Sequence, residues 1–567
     1  MDTSRTGSTA PGRAPGRSAD RTVDLLCVGG GLGGLAAAVR AHDLGADVLV
    51  AERSGMVGGV AAYSGGFVWV GASGLPDGGA DDSLQATESY LDHVQGEGRP
   101  VDREARRAYL NRAIEATRWY RDAGVPFEVI RGCPDLYHPA PGSTEEGRLL
   151  ECVVPGASLG GWRDLLRPSP YYETGVPRND LYSPRARDRA GLAELRREGA
   201  ERDLLTHGSG LAGAFVRAAL TERGVDCLLH HRAVELLMDG DAVAGAVLEG
   251  PDGRITVRAR RGVLIAAGGY GGAPDAAELE DVPALVESAP PVVEGDGLLL
   301  AQRAGAATVR GADPFFSVGF PFPGETHPAE PGRAGDVPLH RPLLEHLGLP
   351  HSMIVNRDGL RFGDESYYGA LIGALRRYDG RRKRWANHPC WFIADEEFRR
   401  RYRLGPYGPG EPWPDAIVRA DSPRELAAAA GFDADGFAAT VAAFNEGAER
   451  GTDDAFGRGT LPFVRRAYGD PDRVPNPNLG PVASPPFYAL PLSIVGFGMG
   501  TLGLSIDGDG RVLRRDGRAV PGLYATGNAA ATRELKGYVT GLANARNHTY
   551  AYAAATHAVT GPAPTGR

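Results

Sequence analysis

The sequence predicts an α/β fold, and three neighbouring segments near the N-terminus carry that prediction. The apolar residues Leu25 to Val28 are typical of a buried strand, which ends at Gly29. Leu35 to Val39 then begin a helix, and Asp47 to Ala51 form a second apolar strand. A strand, a glycine-rich turn, a helix and a second strand in this order form the first unit of a doubly wound parallel sheet.

The turn between the first strand and the helix carries a dinucleotide-binding pattern. Gly29, Gly31 and Gly34 fit the motif G-x-G-x-x-G. The first glycine permits the tight turn, the second lets the backbone approach a pyrophosphate, and the third lets the helix pack closely on the strand. Glu52 follows the second strand, where a carboxylate can bind ribose hydroxyls. A glycine-rich turn in another kind of α/β protein is the alternative, but the flanking elements favour dinucleotide binding.

Chain length sets the expected number of domains, and net charge argues against nucleic acid as a partner. A chain of 567 residues is too long for one hydrophobic core, so two or three domains are expected. The net charge is −9, and the sequence has no long basic stripe, which argues against nucleic acid as the main partner. The basic cluster Arg376–Arg384 is interpreted as a solvated surface loop rather than a polyanion contact.

The metal-binding residue types show no ligand spacing. The five cysteines match no zinc pattern, and their odd, low number is typical of a reducing compartment. The 13 histidines form no metal-ligand pattern either, so no metal is expected. No apolar run reaches about 18 residues, so no transmembrane segment is predicted. Residues 1–21 are polar and are interpreted as a disordered tail, and a cytoplasmic location is the expectation.

Glycine-rich stretches recur along the chain in a fixed order. They are Gly58-Gly59, Ser64-Gly65-Gly66-x-x-Trp69, Ala266-Ala-Gly-Gly-Tyr270, Glu294-Gly-Asp-Gly297, Ile354-Val-Asn-Arg-Asp-Gly-Leu-Arg-Phe-Gly-Asp-Glu365 and Gly522-Leu-Tyr-Ala-Thr-Gly-Asn528. Together with the N-terminal motif, they resemble the FAD-dependent fumarate reductase and 3-ketosteroid dehydrogenase superfamily. The resemblance covers nearly the whole chain from residue 22.

The resemblance implies a Rossmann-like FAD-binding domain built from both chain ends. Its two parts would be residues 22–297 and 487–567, with an α+β catalytic cap domain inserted at 298–486. The active site would lie between the cap and the flavin. Respiratory members bind FAD covalently through a histidine near the second glycine pair. The stretch Val60–Gly66 contains no histidine, so non-covalent FAD is expected.

The motifs and the resemblance together predict a set of residues that contact FAD. They are Gly29, Gly31, Gly33, Gly34, Glu52, Arg53, Gly58, Gly59, Ser64, Gly65, Gly66, Ala233, Val234, Ala267, Gly268, Asp296, Gly527, Asn528, Leu542 and Ala543.

Within the superfamily, the tyrosines favour the 3-ketosteroid dehydrogenase branch. The resemblance implies that these enzymes remove two hydrogens from a carbon–carbon bond next to a ketone. One tyrosine deprotonates the α carbon with the help of another, and FAD N5 takes the hydride. A further tyrosine and a glycine amide polarise the ketone oxygen. A free tyrosine titrates near pH 10, so a base tyrosine needs neighbours that stabilise its anion.

The family motifs place these roles on particular residues. Tyr137, in Tyr-His-Pro, resembles the helper tyrosine. Tyr368 follows Arg361-Phe-Gly-Asp-Glu365, where the family has its base, and Tyr367 competes with it as a tentative substrate contact. Tyr538 and Gly541 resemble the residues that polarise the ketone.

The chain departs from the family in its C-terminal loop. Val539-Thr-Gly-Leu-Ala-Asn-Ala-Arg-Asn547 replaces a glycine- and proline-rich run of the family, and Asn544 and Arg546 in it bring polar groups towards the pyrimidine edge of the flavin. These two residues are candidate substrate contacts, and they leave open whether the carbonyl substrate is a steroid or another cyclic ketone. Two alternatives stay open, an ene-reductase of the fumarate reductase type and a flavoprotein with a divergent reaction. The electron acceptor, a quinone or oxygen, is not identified by any motif.

Overall fold

The computed structural model describes residues 20–75, 82–187, 189–311, 313, 315–331, 336–531 and 534–564. Most of the segment that the sequence predicts to be a disordered tail, residues 1–19, lies outside this part. Helices and several sheets alternate along the described chain, as an α/β sequence predicts. None of the described helices combines the length and the apolar content that crossing a bilayer requires.

A parallel sheet forms the centre of the larger hydrophobic core. The strand Arg21–Val28 lies in its middle, between Val48–Ala51 on one side and Gly253–Ile265 on the other. Asp226–Leu228 and Ala519–Ala525 extend the sheet in parallel on the two sides. Residues Leu25 to Val28 are all buried, as expected for a strand covered on both faces. The predicted first strand, helix and second strand are therefore confirmed.

Three antiparallel strands complete this sheet. They are Arg511–Leu513, Arg232–Asp239 and Ala242–Gly250.

The two ends of the chain meet beside this sheet. The first helix, Leu32–Asp43, packs against the last helix, Leu542–Thr560, and both helices bury alanine-rich faces. Arg40 Nε donates a hydrogen bond to Thr556 Oγ1 at 2.9 Å, which ties the two helices together. The long helix Arg103–Asp122 also joins this core, since Tyr120 Oη donates to Ala36 O at 2.8 Å. The last helix is thus held next to the glycine-rich turn.

A second, antiparallel sheet lies within the residues that the resemblance assigns to a cap. Its strands, in spatial order, are Ser352–Asn356, Cys390–Asp395, Phe487–Pro491 and Val418–Ala420. Both of its faces are buried, and alternate residues point to opposite sides. Met353, Val355, Trp391 and Ile393 face the helices Pro423–Ala430 and Ala434–Arg450. Ile354, Phe392 and Ala394 pack in another cluster with Leu371 and Leu375. The sheet continues past residue 486, the predicted end of the cap.

A third sheet connects segments that lie far apart in the sequence. Its strands are Val286–Glu287, Ser493–Gly496, Phe316–Phe320 and Arg341–Pro342. The remaining short strands are Val68–Trp69, Phe127–Val129, Leu149–Cys152, Val154–Pro155, Leu204–Leu205, Thr308–Arg310, Tyr378–Asp379, Arg384–Trp385 and Leu502–Leu504. The remaining α-helices are Gly59–Tyr63, Leu84–Gln95, Arg178–Leu181, Arg189–Glu201, His207–Val216, Ala276–Glu280, Asp296–Arg303, Tyr368–Leu375, Glu396–Arg401 and Pro462–Tyr468. Gly156–Trp162, Pro184–Arg187 and Gly527–Ala529 form 3₁₀ turns, and Arg217–Glu222 forms a π turn.

Four buried charges hold the segment that carries Tyr367. Arg361 donates to Glu365 Oε1 at 3.0 Å and to Asp453 Oδ1 at 2.9 Å. Arg458 Nη1 lies 3.3 Å from Glu365 Oε1. All four side chains are at most 5% exposed, so each charge depends on the others for compensation.

Replacing Glu365 tests this network. Glu365→Gln keeps the shape of the side chain but leaves two buried guanidinium groups with one carboxylate. We expect the free energy of unfolding to fall by about 3–5 kcal/mol, as measured by urea denaturation. Glu397→Gln, which removes a partly exposed ion pair with Arg401, is the matched control and should cost less than about 1 kcal/mol. Equal free energies of unfolding for the two variants would contradict the assignment of Glu365 to a buried charge network.

Candidate active site

The glycine-rich turn leaves open space above the end of the first strand. Gly29 has φ +115°, and a Cβ there would collide with the Ala266 backbone. A Cβ at Gly34 would overlap the Gly29 carbonyl, so this glycine allows the close packing of helix and strand. Gly31 differs, because the atom nearest to its added Cβ is Gly59 Cα at 3.7 Å. The backbone therefore leaves room at Gly31 that the protein itself does not fill.

The first helix presents backbone donors to this space. Gly31 occupies its N-cap position, and no side chain in the described part of the chain caps it. The amides of the first turn are thus available to an anion, and the helix dipole favours negative charge there. This arrangement suits a pyrophosphate.

Glu52, which the sequence predicts to bind ribose hydroxyls, also binds backbone amides of the protein itself. Its Oε2 accepts a hydrogen bond from Gly30 N at 2.7 Å, and its Oε1 accepts one from Ser54 N at 2.9 Å. The side chain is 8% exposed and lines the cavity above the turn. Glu52 therefore also closes the turn, and its remaining lone pairs face the cavity.

A cavity of about 90 Å³ contains most of the predicted nucleotide contacts. The predicted residues in its lining are Gly29, Gly31, Gly33, Glu52, Arg53, Gly59, Ala233, Ala267, Gly268, Asp296 and Asn528. Asp296 accepts hydrogen bonds from Arg53 at 3.0 Å and from Arg232 at 2.9 Å. Arg167 and His231 also line the cavity, and no motif pointed to them.

Four predicted contacts line neither this cavity nor the two cavities described below. Gly34 and Gly58 serve packing, because a Cβ at Gly58 would lie 3.0 Å from Leu166 Cδ1. Gly527 packs against the Asn547 side chain. Val234 follows the buried Ala233 in a strand, so its side chain points to the other face.

A second cavity, of about 200 Å³, adjoins the first. Both are lined by Val60, Ala61, Asn528 and Asn547, so the two spaces meet at these residues. The predicted residues Ser64, Gly65, Gly66, Tyr538, Gly541, Ala543 and Asn544 line the second cavity. It also contains Tyr172, Arg341, Glu345, His346 and Tyr468, which the sequence did not single out.

Gly541 begins the last helix in a conformation that favours glycine. Its φ is +85°, and a Cβ would lie 2.8 Å from Trp69 N. The Gly541 carbonyl accepts a hydrogen bond from Trp69 N at 3.2 Å. Its own amide makes no hydrogen bond within the described residues, so it is available to a ligand in the cavity. Tyr538, three residues earlier, stacks on Phe315 with ring centroids 4.3 Å apart.

The structure pairs Tyr137 with Tyr367. Their hydroxyl groups are hydrogen bonded, and the rings meet edge to face at 5.7 Å. The side chain of Tyr368 lies outside the described part of the structure, and its backbone begins the helix Tyr368–Leu375. Of the two competing tyrosines, Tyr367 is the one seen in contact with the predicted helper. Neither Tyr137 nor Tyr367 is among the described residues that line the second cavity.

Burial and the neighbouring phenols change the titration of this pair. Burial raises the pKa of Tyr367 well above its usual value, and the nearby Tyr137 and Tyr538 raise it further. Burial also raises the pKa of Tyr137, while the hydrogen bond with Tyr367 lowers it. The two phenols share a hydrogen bond, so they lose protons as a coupled pair.

A buried polar contact holds the loop that carries Tyr137. Trp69 Nε1 donates to Asp135 Oδ1 at 2.7 Å, and Arg148 Nη1 donates to Asp135 Oδ2 at 2.8 Å. All three side chains are nearly inaccessible to solvent. The Trp69 of the glycine-rich motif therefore fixes a residue two positions before Tyr137.

Asn544 and Arg546 lie near the site but use their polar groups differently. Asn544 Nδ2 donates to Phe67 O at 2.9 Å, so it ties the glycine-rich loop to the last helix. Arg546 is 7% exposed and lies 3.5 Å from Glu534. Arg546 and Leu542 line a third, smaller cavity of about 80 Å³ that also touches Tyr538. The described residues contain no group of three or more His, Cys, Asp or Glu suited to a metal ion.

Comparison with known families decides the cofactor. Residues 24–543 match the model of the FAD binding domain family. The chain belongs to this family. The glycine cradle, the uncapped helix and Glu52 fit an FAD molecule, and the resemblance found in the motifs is confirmed.

Named relatives of this flavoprotein are similar over nearly their whole length. It is 32% identical to 4-oxocyclohexanecarboxylate 2-dehydrogenase of Sinomonas cyclohexanicum, with 91% of this chain and 89% of the relative covered. It is 31% identical to 3-oxosteroid 1-dehydrogenase of Mycobacterium tuberculosis, with 90% and 93% covered. A crystal structure of 3-ketosteroid delta1-dehydrogenase from Sterolibacterium denitrificans, in complex with 1,4-androstadiene-3,17-dione, is 28% identical and has a TM-score of 0.82. This match covers 96% of the present chain and 100% of that chain.

A single added methyl group tests the cradle. Gly31→Ala has room in the protein itself, so its thermal stability without FAD should be unchanged. The methyl group would occupy the space next to the pyrophosphate, and we expect FAD affinity to fall by about tenfold or more, measured by titration of the apoprotein. Gly373→Ala, which meets no atom within 4 Å, is the matched control and should bind FAD normally. Unchanged FAD affinity in Gly31→Ala would show that the phosphates bind elsewhere.

Proposed function

We propose that this protein is an FAD-dependent dehydrogenase that desaturates the carbon–carbon bond next to the carbonyl of a small cyclic ketone. The contact between the Tyr137 and Tyr367 hydroxyls carries the proposal. It brings together two tyrosines that lie 230 residues apart, beside a third, Tyr538. The names of the relatives, which include a steroid dehydrogenase and an oxocyclohexane carboxylate dehydrogenase, support the same reaction class.

Two parts of the chain have different roles, one in binding FAD and the other in supplying the catalytic base. The parallel sheet and its helices, from residues 22–297 and the C-terminal segment, form a Rossmann-like domain that holds FAD. The antiparallel sheet around Cys390–Asp395 belongs to an inserted catalytic cap, which supplies Tyr367. Non-covalent FAD remains part of the proposal, because the loop Val60–Gly66 offers no histidine for a bond.

Tyr367 is the proposed base. Its phenolate takes the proton from the carbon next to the carbonyl, and the Tyr137 hydroxyl donates a hydrogen bond to that phenolate. Burial disfavours this phenolate, so the reaction depends on the small fraction of Tyr367 that is deprotonated. In bound form, FAD supplies a hydride acceptor for the neighbouring carbon.

Tyr538 and Gly541 are the proposed donors to the ketone oxygen. Both line the second cavity, and the Gly541 amide has no partner among the described residues. Negative charge develops on the ketone oxygen as the α proton leaves, so fixed donors stabilise the transition state more than the ground state. The reduced protein is reoxidised by an acceptor of the quinone or oxygen class.

Single tyrosine-to-phenylalanine variants test these roles. Tyr367→Phe removes the base, and the rate of anaerobic flavin bleaching should fall by about 10²–10⁴-fold. Tyr538→Phe removes one donor and should cost about 10²–10³-fold. The measurement uses 4-oxocyclohexanecarboxylate and a 3-ketosteroid in a stopped-flow spectrometer. Tyr378→Phe, which changes an exposed tyrosine, should bleach normally. Normal bleaching in Tyr367→Phe would refute the assignment of the base.

The pH dependence of kcat/KM gives a separate test. The base must be deprotonated, and burial raises the pKa of both phenols, so the competent form is scarce at neutral pH. We expect kcat/KM to rise about tenfold per pH unit between about pH 6 and the apparent pKa of the pair. In Tyr137→Phe the remaining phenol, Tyr367, loses a neighbour that raises its pKa, so the rise should move to lower pH. A profile that is flat in this range would exclude a tyrosine base.

A further inference from the structure

One wall of the second cavity carries polar groups that the proposed mechanism does not use. The segment after the strand Arg341–Pro342 contributes Glu345 to this wall, and Tyr172 and Tyr468 contribute two phenol rings. Within the described part of the chain, neither Glu345 nor these two hydroxyls has a hydrogen-bond partner. Polar groups that line a cavity without protein partners are available to a ligand that enters it.

The three groups act as one cluster. Burial raises the pKa of Tyr172, and the next contribution comes from the negative charge of Glu345. Burial also raises the pKa of Tyr468, and Tyr172, Tyr538 and Glu345 raise it further. Glu345, both phenols and the proposed ketone donor Tyr538 all line the second cavity. A ligand that reaches Tyr538 can reach this cluster.

The Glu345 carboxylate is accessible but poorly hydrated. Its side chain is exposed to the cavity, while the surrounding protein removes hydration and raises its pKa. Arg178 and Arg341 partly oppose this effect. Arg341 is already paired with Glu325, whose Oε2 lies 2.9 Å from Arg341 Nε, so it has little charge to offer a ligand. Arg178 donates to Gly65 O at 2.8 Å and stacks on Phe67.

The charges around the cluster favour a neutral ligand group. The Arg341–Glu325 pair is neutral, and Arg178 and Glu173 act on the pKa of Glu345 in opposite directions. A ligand carboxylate would meet the Glu345 oxygens directly, and a ligand ammonium would meet the positive charge of Arg178, which acts on Glu345. A hydroxyl group can donate to Glu345 and accept from a phenol at the same time.

We propose that Glu345, with Tyr172 and Tyr468, binds a hydroxyl group on the cyclic ketone substrate, distinct from the carbonyl that Tyr538 and Gly541 polarise. This inference rests on the proposed function, and it names the substrate class as hydroxylated cyclic ketones. Glu345 is then a specificity residue that contacts substrate but takes no part in the proton or hydride transfers.

Matched substrates test the proposal. We expect wild-type holoenzyme to bleach faster with 4-hydroxycyclohexanone than with cyclohexanone, with kcat/KM about 10- to 100-fold higher, the range for a hydrogen bond to a charged group. Glu345→Leu should abolish this preference by slowing only the hydroxylated ketone, and cyclohexanone should react at the wild-type rate. Glu345→Gln keeps a hydrogen-bond acceptor without the charge, so its preference for the hydroxylated ketone should lie between those of the wild type and Glu345→Leu. Glu449→Gln, on an exposed part of the helix Ala434–Arg450, is the control.

Three results would overturn the proposal. They are an equal kcat/KM for the two ketones in the wild type, a preference for 4-oxocyclohexanecarboxylate over 4-hydroxycyclohexanone, and an equal loss for both ketones in Glu345→Leu. A thermal melt gives a further readout, because Glu345→Leu removes a poorly hydrated carboxylate and should not lower the melting temperature. A lower melting temperature would indicate a structural role instead.

Equilibrium binding separates this proposal from the proposed function. Dissociation constants for both ketones can be measured from the change in flavin absorbance on binding, without turnover. If no ketone bleaches the flavin but 4-hydroxycyclohexanone binds more tightly in a Glu345-dependent way, the proposed reaction fails and the hydroxyl site stands. If the two ketones also bind equally, the hydroxyl site fails as well.

Discussion

The packing of the last helix against the first helix is the contact on which the rest of the site depends. Leu32–Asp43 and Leu542–Thr560 meet through alanine-rich faces, and small side chains let the two helices approach closely. This contact places Asn547 next to the glycine-rich turn, where the side chain lies close to Gly33 and Gly527. It also places Gly541 beside the backbone of Trp69. The contact therefore brings residues from the two ends of the sequence together in space at one site.

Buried polar contacts then position the tyrosines. Asp135, held by Trp69 and Arg148, fixes the loop before Tyr137. Glu365, held by Arg361 and Arg458, fixes the segment before Tyr367. Each anchor lies two residues from the tyrosine it positions. Buried charge networks contribute little net stability, but breaking one is costly, so they suit the task of holding a reactive group in one place.

The cavity above the glycine-rich turn and the second cavity are built from different kinds of segment. The flavin cradle combines the backbone of the glycine-rich turn with side chains that include Glu52 and Asp296. The second cavity is lined by side chains from connecting segments, including Tyr172, Glu345 and Tyr468. Function on a common scaffold changes mainly through such segments. Relatives that act on a steroid and on an oxocyclohexane carboxylate, by their names, are consistent with this division.

The sequence by itself determined the flavin half of the protein. A strand that ends in G-x-G-x-x-G, followed by a helix and an acidic residue, depends on local backbone rules that operate over about 30 residues. The first strand and the first helix therefore appear where the motif places them, and most of the residues predicted to contact FAD line the cavity above the turn. Gly34, Gly58, Gly527 and Val234 serve packing or point away, because a motif does not reveal which face of a turn or strand a ligand will touch.

Only the tertiary structure decided which side chains meet across long distances in sequence. The contact between the Tyr137 and Tyr367 hydroxyls joins residues 230 positions apart, and no local pattern specifies it. The pairing of Phe487–Pro491 with Cys390–Asp395, and the placement of Glu345 beside Tyr172 and Tyr468, also have no local signal. Such contacts depend on how sheets and loops pack, and packing is set by the whole core rather than by the residues next to each side chain.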